Sequence, residues 1–121
     1  MNKTSAIIIH CSDVSQNQIF DQLKSINAYH RDVRDFPRSK SGYYVGYHYL
    51  ITGNKLYQCR EDFEVGAHCN QIVDGVSMNY QSIGICVGFD GDVELPSEKH
   101  LALLKEKVLF FCDTTVNINP T

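Results

Sequence analysis

The chain has 121 residues, 43% hydrophobic and 21% charged, with seven Tyr, six Phe and no Trp, the profile of one soluble globular domain. Its formal charge of −3 gives no global positive field for nucleic acid or anionic lipid, so neither is expected as a partner. The only apolar run near the N-terminus, Ala6 to Ile9, is too short for a signal-peptide core or a membrane span, which leads to the expectation of a cytoplasmic protein. Five cysteines with no CxxC pair read as free thiols in a reducing compartment.

In chain order, Ala6-Ile7-Ile8-Ile9-His10 has the β-branched composition of a buried strand that delivers His10 at its C-terminal end, before Ser12-Asp13 breaks it. From about Gln16 to His30, Ile19, Leu23 and Ile26 recur at helical spacing and Tyr29 continues the stripe. Residues 32–42 form a polar loop carrying Arg34, Arg38 and Lys40. Residues 47–51 and 55–59 predict two antiparallel strands joined at Thr52-Gly53-Asn54. Ser82 to Gly88 predicts another buried strand. Pro96 suits the first turn of a helix whose Leu101, Leu104, Val108 and Phe111 share a face, and Thr115 to Ile118 alternates like the start of a further strand.

Single residues say little about chemistry. His10-Cys11 and His68-Cys69 resemble metal pairs, but neighbours on a strand point to opposite faces and do not share an ion, so packing is the simpler reading. No cysteine has a recognisable nucleophile motif. Asp90-Gly91-Asp92 lacks the remaining ligands of a calcium loop and reads as a solvated turn. His30 and His100, at a helix end and at the edge of a helical stripe, read as structural.

The ordered combination is more specific. Ile-Ile-Ile-His-Cys-Ser at 7–12, Val-Gly-Tyr-His-Tyr-Leu-Ile at 45–51, Val-Gly-Ala-His at 65–68 and Asn-Tyr-Gln-Ser-Ile-Gly-Ile-Cys at 79–86, followed by Leu-Pro-Ser-Glu at 95–98, resemble the type 2 N-acetylmuramoyl-L-alanine amidases. That family includes phage lysozyme-like amidases and the peptidoglycan recognition proteins. The resemblance implies an α/β fold, a mixed central β-sheet flanked by helices, with one zinc ion in a groove over the sheet. It also implies cleavage of the amide between N-acetylmuramic acid and L-alanine in peptidoglycan. An amide carbonyl is a poor electrophile, and Zn²⁺ answers this by polarising it and by lowering the pKa of its bound water toward about 7.

By the same resemblance His10 matches the first zinc ligand, and Tyr47 matches the catalytic tyrosine, with His48 expected on the opposite side of the strand. His68 and Asn79 match positions that line or support the substrate groove. The family's second and third metal ligands, a His and then a Cys or Asp on and beyond the strand after the last helix, have no counterpart here, since residues 112–121 contain no His. Cys112 is a weak substitute. The sequence therefore leads to the expectation of a single amidase-like domain over 1–121, incomplete at its C-terminal end and poor in zinc. Three readings stay open: an amidase fragment, a muramyl-peptide binding module without hydrolysis, and an interaction protein on the same scaffold. If the source is viral, access to the wall follows lysis or a holin-like route.

Overall fold

The computed structural model describes residues 1–114, with the side chains of 1–112. Its main sheet has four strands in the order β1-β6-β2-β3, where β1 is Ala6–Cys11, β2 Tyr49–Thr52, β3 Lys55–Gln58 and β6 Ser82–Val87. β6 runs parallel to both β1 and β2, and β2 and β3 form an antiparallel hairpin, so the sheet is mixed as expected. Gly53 and Asn54 both adopt positive φ (59° and 61°), the two-residue turn whose twist matches that of the strands. Every residue of β6 is buried, which accounts for its continuous apolar run.

The alternation of side chains divides the sheet into two chemically different faces. On one, Tyr49, Ile51, Ile83, Ile85 and Val87 pack with Phe111, Leu103, Leu104 and Val108 of helix α2 (Glu98–Thr114). On the other, Leu50 and Cys86 pack with Val45, Cys59 and Tyr47 and with Leu23 and Ile26 of helix α1 (Leu23–Asp32). His10 is the register partner of Cys86 and shares this second face.

Several boundaries differ from the sequence reading. The first helix starts at Leu23, not near Gln16, because polar side chains capture the preceding backbone. The Thr52 hydroxyl accepts the Gln22 N–H at 2.9 Å and donates to Phe20 O at 3.1 Å, and Asp21 accepts the Leu23 N–H at 3.1 Å as the helix begins. α2 starts two residues after Pro96, with the Ser97 hydroxyl accepting the His100 N–H at 3.1 Å. Its packed face runs through Leu103, Leu104, Val108 and Phe111, whereas Leu101 is exposed. His100 is completely buried instead of lying at an edge. Its Nε2 accepts the Asn54 N–H at 3.0 Å and its Nδ1–H donates to Gln16, which ties α2 to the β2–β3 turn. An unforeseen small hairpin, β4 (Ile72–Val73) and β5 (Val76–Ser77), turns at Asp74-Gly75 and leads into a short 3₁₀ turn, Met78–Tyr80. The strand expected at Thr115 to Ile118 lies outside the described residues. All five cysteines are free thiols, and among the described residues no helix is long and apolar enough to cross a membrane.

Candidate active site

The second sheet face opens into a groove lined by Tyr47, His68 and Asn79, with His10 packed against the first two. β1 carries His10 to its end, and the segment leading into β2 carries Tyr47; their ring centroids are 5.2 Å apart. His68, from the loop before β4, lies 5.1 Å from His10 edge-on and 6.5 Å from Tyr47. The Nε2 of His10 and the Nδ1 of His68 are 2.9 Å apart.

Tyr47 and His48 do not diverge to opposite sides. They precede the strand, in a bend where the His48 N–H donates to Gly84 O at 2.9 Å and the Gly84 N–H donates back to His48 Nδ1 at 3.1 Å. With its Nδ1 accepting, His48 donates from Nε2 to Glu64 O at 2.8 Å, and its buried ring lies 5.8 Å from His68. Two adjacent residues therefore flank the same histidine, in a bend where one of the two bonds to the Gly84 backbone comes from a side chain.

Asn79 acts mainly on the loop. Its Oδ1 accepts the N–H groups of His68 (2.9 Å) and Cys69 (3.0 Å), fixing the turn that aims His68. Gly84 sits under the same ring, and a Cβ there would lie 2.6 Å from the imidazole, so only glycine lets His68 descend onto β6.

His30, read as structural from the sequence, is a groove wall. It lines both a cavity of about 220 Å³, shared with Phe36, His68, Asn70 and Asn79, and a neighbouring one of about 480 Å³ lined by Ser12, Val14, Ile26 and Tyr29. Arg34 and Tyr47 also border both, so the two cavities form one continuous trough. The Gly46 N–H donates to His30 Nδ1 at 2.9 Å, which leaves the ring proton on Nε2. The His30 ring lies 5.6 Å from that of Tyr47. The Arg34 guanidinium stands 5.2 Å over the Phe36 ring and has no carboxylate partner among the described residues. The sequence signal for both residues was the helix end followed by a basic loop, and nothing local distinguishes that from a solvated terminus.

Burial sets the protonation of the site. It is the first cause that pushes His68 down to about 3, with His10, His48 and Arg60 adding to it. It also pushes His30 down to about 4, with Arg34 and Arg60 contributing, and it lowers His10. The Tyr47 hydroxyl is held far above its ordinary range, first by burial. At neutral pH the groove therefore contains neutral imidazoles and a protonated phenol, which are hydrogen-bonding groups with no formal charge, beside the cation of Arg34.

Over residues 1–121 the chain matches the family model described as N-acetylmuramoyl-L-alanine amidase. The chain belongs to that family. No curated protein matches it significantly. Solved structures similar to it include wild-type PGRP-LB of Drosophila (TM-score 0.70, 21% identity, 94% of this chain and 64% of that one). Bumblebee PGRP-SA is similar at TM-score 0.67 and 22% identity, covering 92% and 62%. A Drosophila PGRP-LB mutant in complex with tracheal cytotoxin gives TM-score 0.67 and 24% identity, covering 91% and 62%. PGRP denotes a peptidoglycan recognition protein, and the agreement establishes the fold. The chain spans less than two thirds of each of these three proteins.

Amidases of this family typically use zinc. Among the described residues no cluster of three or more His, Cys, Asp or Glu side chains can hold a metal ion. Both ring nitrogens of His68 are within hydrogen-bonding distance of other groups, and among the described residues His10 has one nitrogen without a partner. Cys112 is no substitute ligand, because α2 packs on the sheet face opposite His10. A catalytic zinc needs about three protein ligands, so the described residues do not fit a zinc ion by themselves.

Proposed function

We propose that the trough binds the muramyl-peptide portion of peptidoglycan and that the chain carries the substrate groove of an N-acetylmuramoyl-L-alanine amidase. The observation that carries this reading is the groove lined by Tyr47, His30 and His68, with His10 packed against Tyr47 and His68, in a chain whose family model is described by that activity. The tracheal cytotoxin bound to one similar structure supports a ligand of this class.

Within this reading each group has a chemical task. Tyr47 stays protonated at neutral pH and donates a hydrogen bond to the amide oxygen as negative charge grows on it. His30 donates from Nε2 to a peptide carbonyl. Arg34, unpaired and stacked on Phe36, faces a carboxylate of the peptide stem. His68 and Asn79 shape the floor between them.

A second reading, binding without hydrolysis, is favoured by the incomplete donor set around His10 among the described residues. One assay separates the two. Hydrolysis frees the amino group of L-alanine, so incubation with a soluble muramyl peptide is followed by amine labelling and, in parallel, by calorimetric binding. New amine identifies the amidase, binding without amine identifies the recognition module, and no binding refutes both.

A further inference from the structure

The hydrogen bonds around His68 form a directed chain that starts away from the groove. The Ser82 hydroxyl is 2.6 Å from Met78 O and 3.3 Å from His68 Nε2. A hydroxyl has one proton and a carbonyl can only accept, so the proton lies on the shorter contact, toward Met78 O. The Ser82 oxygen is then an acceptor, and His68 Nε2 carries the hydrogen that it receives. A neutral imidazole has one ring proton, so His68 Nδ1 is bare and accepts at 2.9 Å from the Nε2–H of His10. The reversed chain would withdraw the Ser82 proton from its 2.6 Å partner to serve a contact 0.7 Å longer.

We propose that His68 is a positioning residue: the relay Met78 O, Ser82, His68 fixes His10 as its Nε2–H tautomer and leaves Nδ1 of His10 as its bare, accepting nitrogen. His10 Nδ1 has no hydrogen-bond partner among the described residues, so the relay determines that the open nitrogen of His10 is an acceptor and not a donor. Outer partners that orient a reactive histidine in this way are a general device. The relay is built into the fold. Asn79 pins the backbone of His68, Gly84 makes room for its ring, and Ser82 is a fully buried residue of β6. The functional meaning rests on the groove being the reactive site, but the proton placement does not.

The test uses histidine-¹⁵N-labelled protein and two-bond ¹H–¹⁵N correlation at neutral pH, with no ligand added. The wild-type His10 is expected to show a pyridine-type Nδ1 and a pyrrole-type Nε2. His68→Asn places an amide oxygen near the position of the lost Nδ1 and is expected to keep that signature. His68→Phe, which has no acceptor, is expected to shift His10 to the averaged resonances of mixed tautomers. If His68→Phe does not fold, Ser82→Ala replaces it, with the same averaging expected at His68 and His10. A pyridine-type Nε2 in wild-type His10, or a His10 signature unchanged in His68→Phe or Ser82→Ala, overturns the proposal. Because no substrate is present, either result leaves the muramyl-peptide reading to be judged by its own assay.

Discussion

The two faces of the sheet are built from the same four strands and are chemically unlike. The face toward α2 is closed by aliphatic side chains and Phe111, and its role is stability. The face toward α1 carries His10, Cys86, Tyr47 and Cys59 and leaves a trough uncovered. Because side chains alternate, a single strand such as β6 supplies Ile83, Ile85 and Val87 to one purpose and Ser82, Gly84 and Cys86 to the other. The division lets substitutions at adjacent positions separate folding from chemistry.

The largest effect on folding is expected on the closed face. Ile85→Ala removes a fully buried side chain and is expected to cost about 2–5 kcal/mol in urea unfolding. The largest effect on chemistry is expected on the open face. In a form that hydrolyses the amide, Tyr47→Phe is expected to lower turnover roughly 100- to 1000-fold, with muramyl-peptide affinity changed less than about threefold. Near-parental turnover would return Tyr47 to a packing role.

A substitution that crosses between the purposes should show both effects at smaller size. Gly84→Ala introduces a Cβ 2.6 Å from the His68 ring and is expected to cost about 1–3 kcal/mol by overpacking. It should also weaken muramyl-peptide binding, whereas Ile85→Ala, in the fraction that is folded, should not.

Protonation sharpens the comparison further, since the α2 face packs aliphatic side chains and the groove contains buried neutral histidines. His30 falls from the usual 6.5 to about 4 on folding, so between those values the unfolded chain binds the extra proton. Its contribution is fully present above about pH 6.5 and is lost as pH falls toward 4. Unfolding free energy should therefore decline over that window, and His30→Gln should flatten part of the decline. The smallest effect is expected away from both faces. Arg31 and Asp32 form an exposed pair at 2.7 Å, and Arg31→Ala should leave melting and binding unchanged within error.

The sequence made the closed face easy to read, because the β-branched runs and the helical stripe of Leu104, Val108 and Phe111 follow regular periods. It also selected His10, Tyr47, His68 and Asn79 through ordered motifs, and the fold brings all four together. It did not disclose what depends on nonlocal capture of polar groups. Helix α1 begins late because Thr52, from β2, takes the Gln22 N–H and donates to Phe20 O. Tyr47 and His48 share a neighbour because Gly84 pairs with a side chain. His30 becomes a groove wall because Gly46 holds its ring from across a loop. Alternation rules apply within a strand, and Tyr47 lies just outside one. The Asp74-Gly75 turn between Val73 and Val76 was a legible hairpin signal, but at two residues per strand it was too short to stand out.

The central claim is that the open face, and not the closed one, is the ligand surface. Chemical-shift mapping of ¹⁵N-labelled protein titrated with soluble muramyl tripeptide tests it most directly. The account predicts saturable shifts at the backbone amides of His30, Arg34, Tyr47, His68 and Asn79, with Ile83, Ile85 and Leu104 unmoved. Shifts confined to the α2 face, or no saturable shift at millimolar ligand, would contradict it.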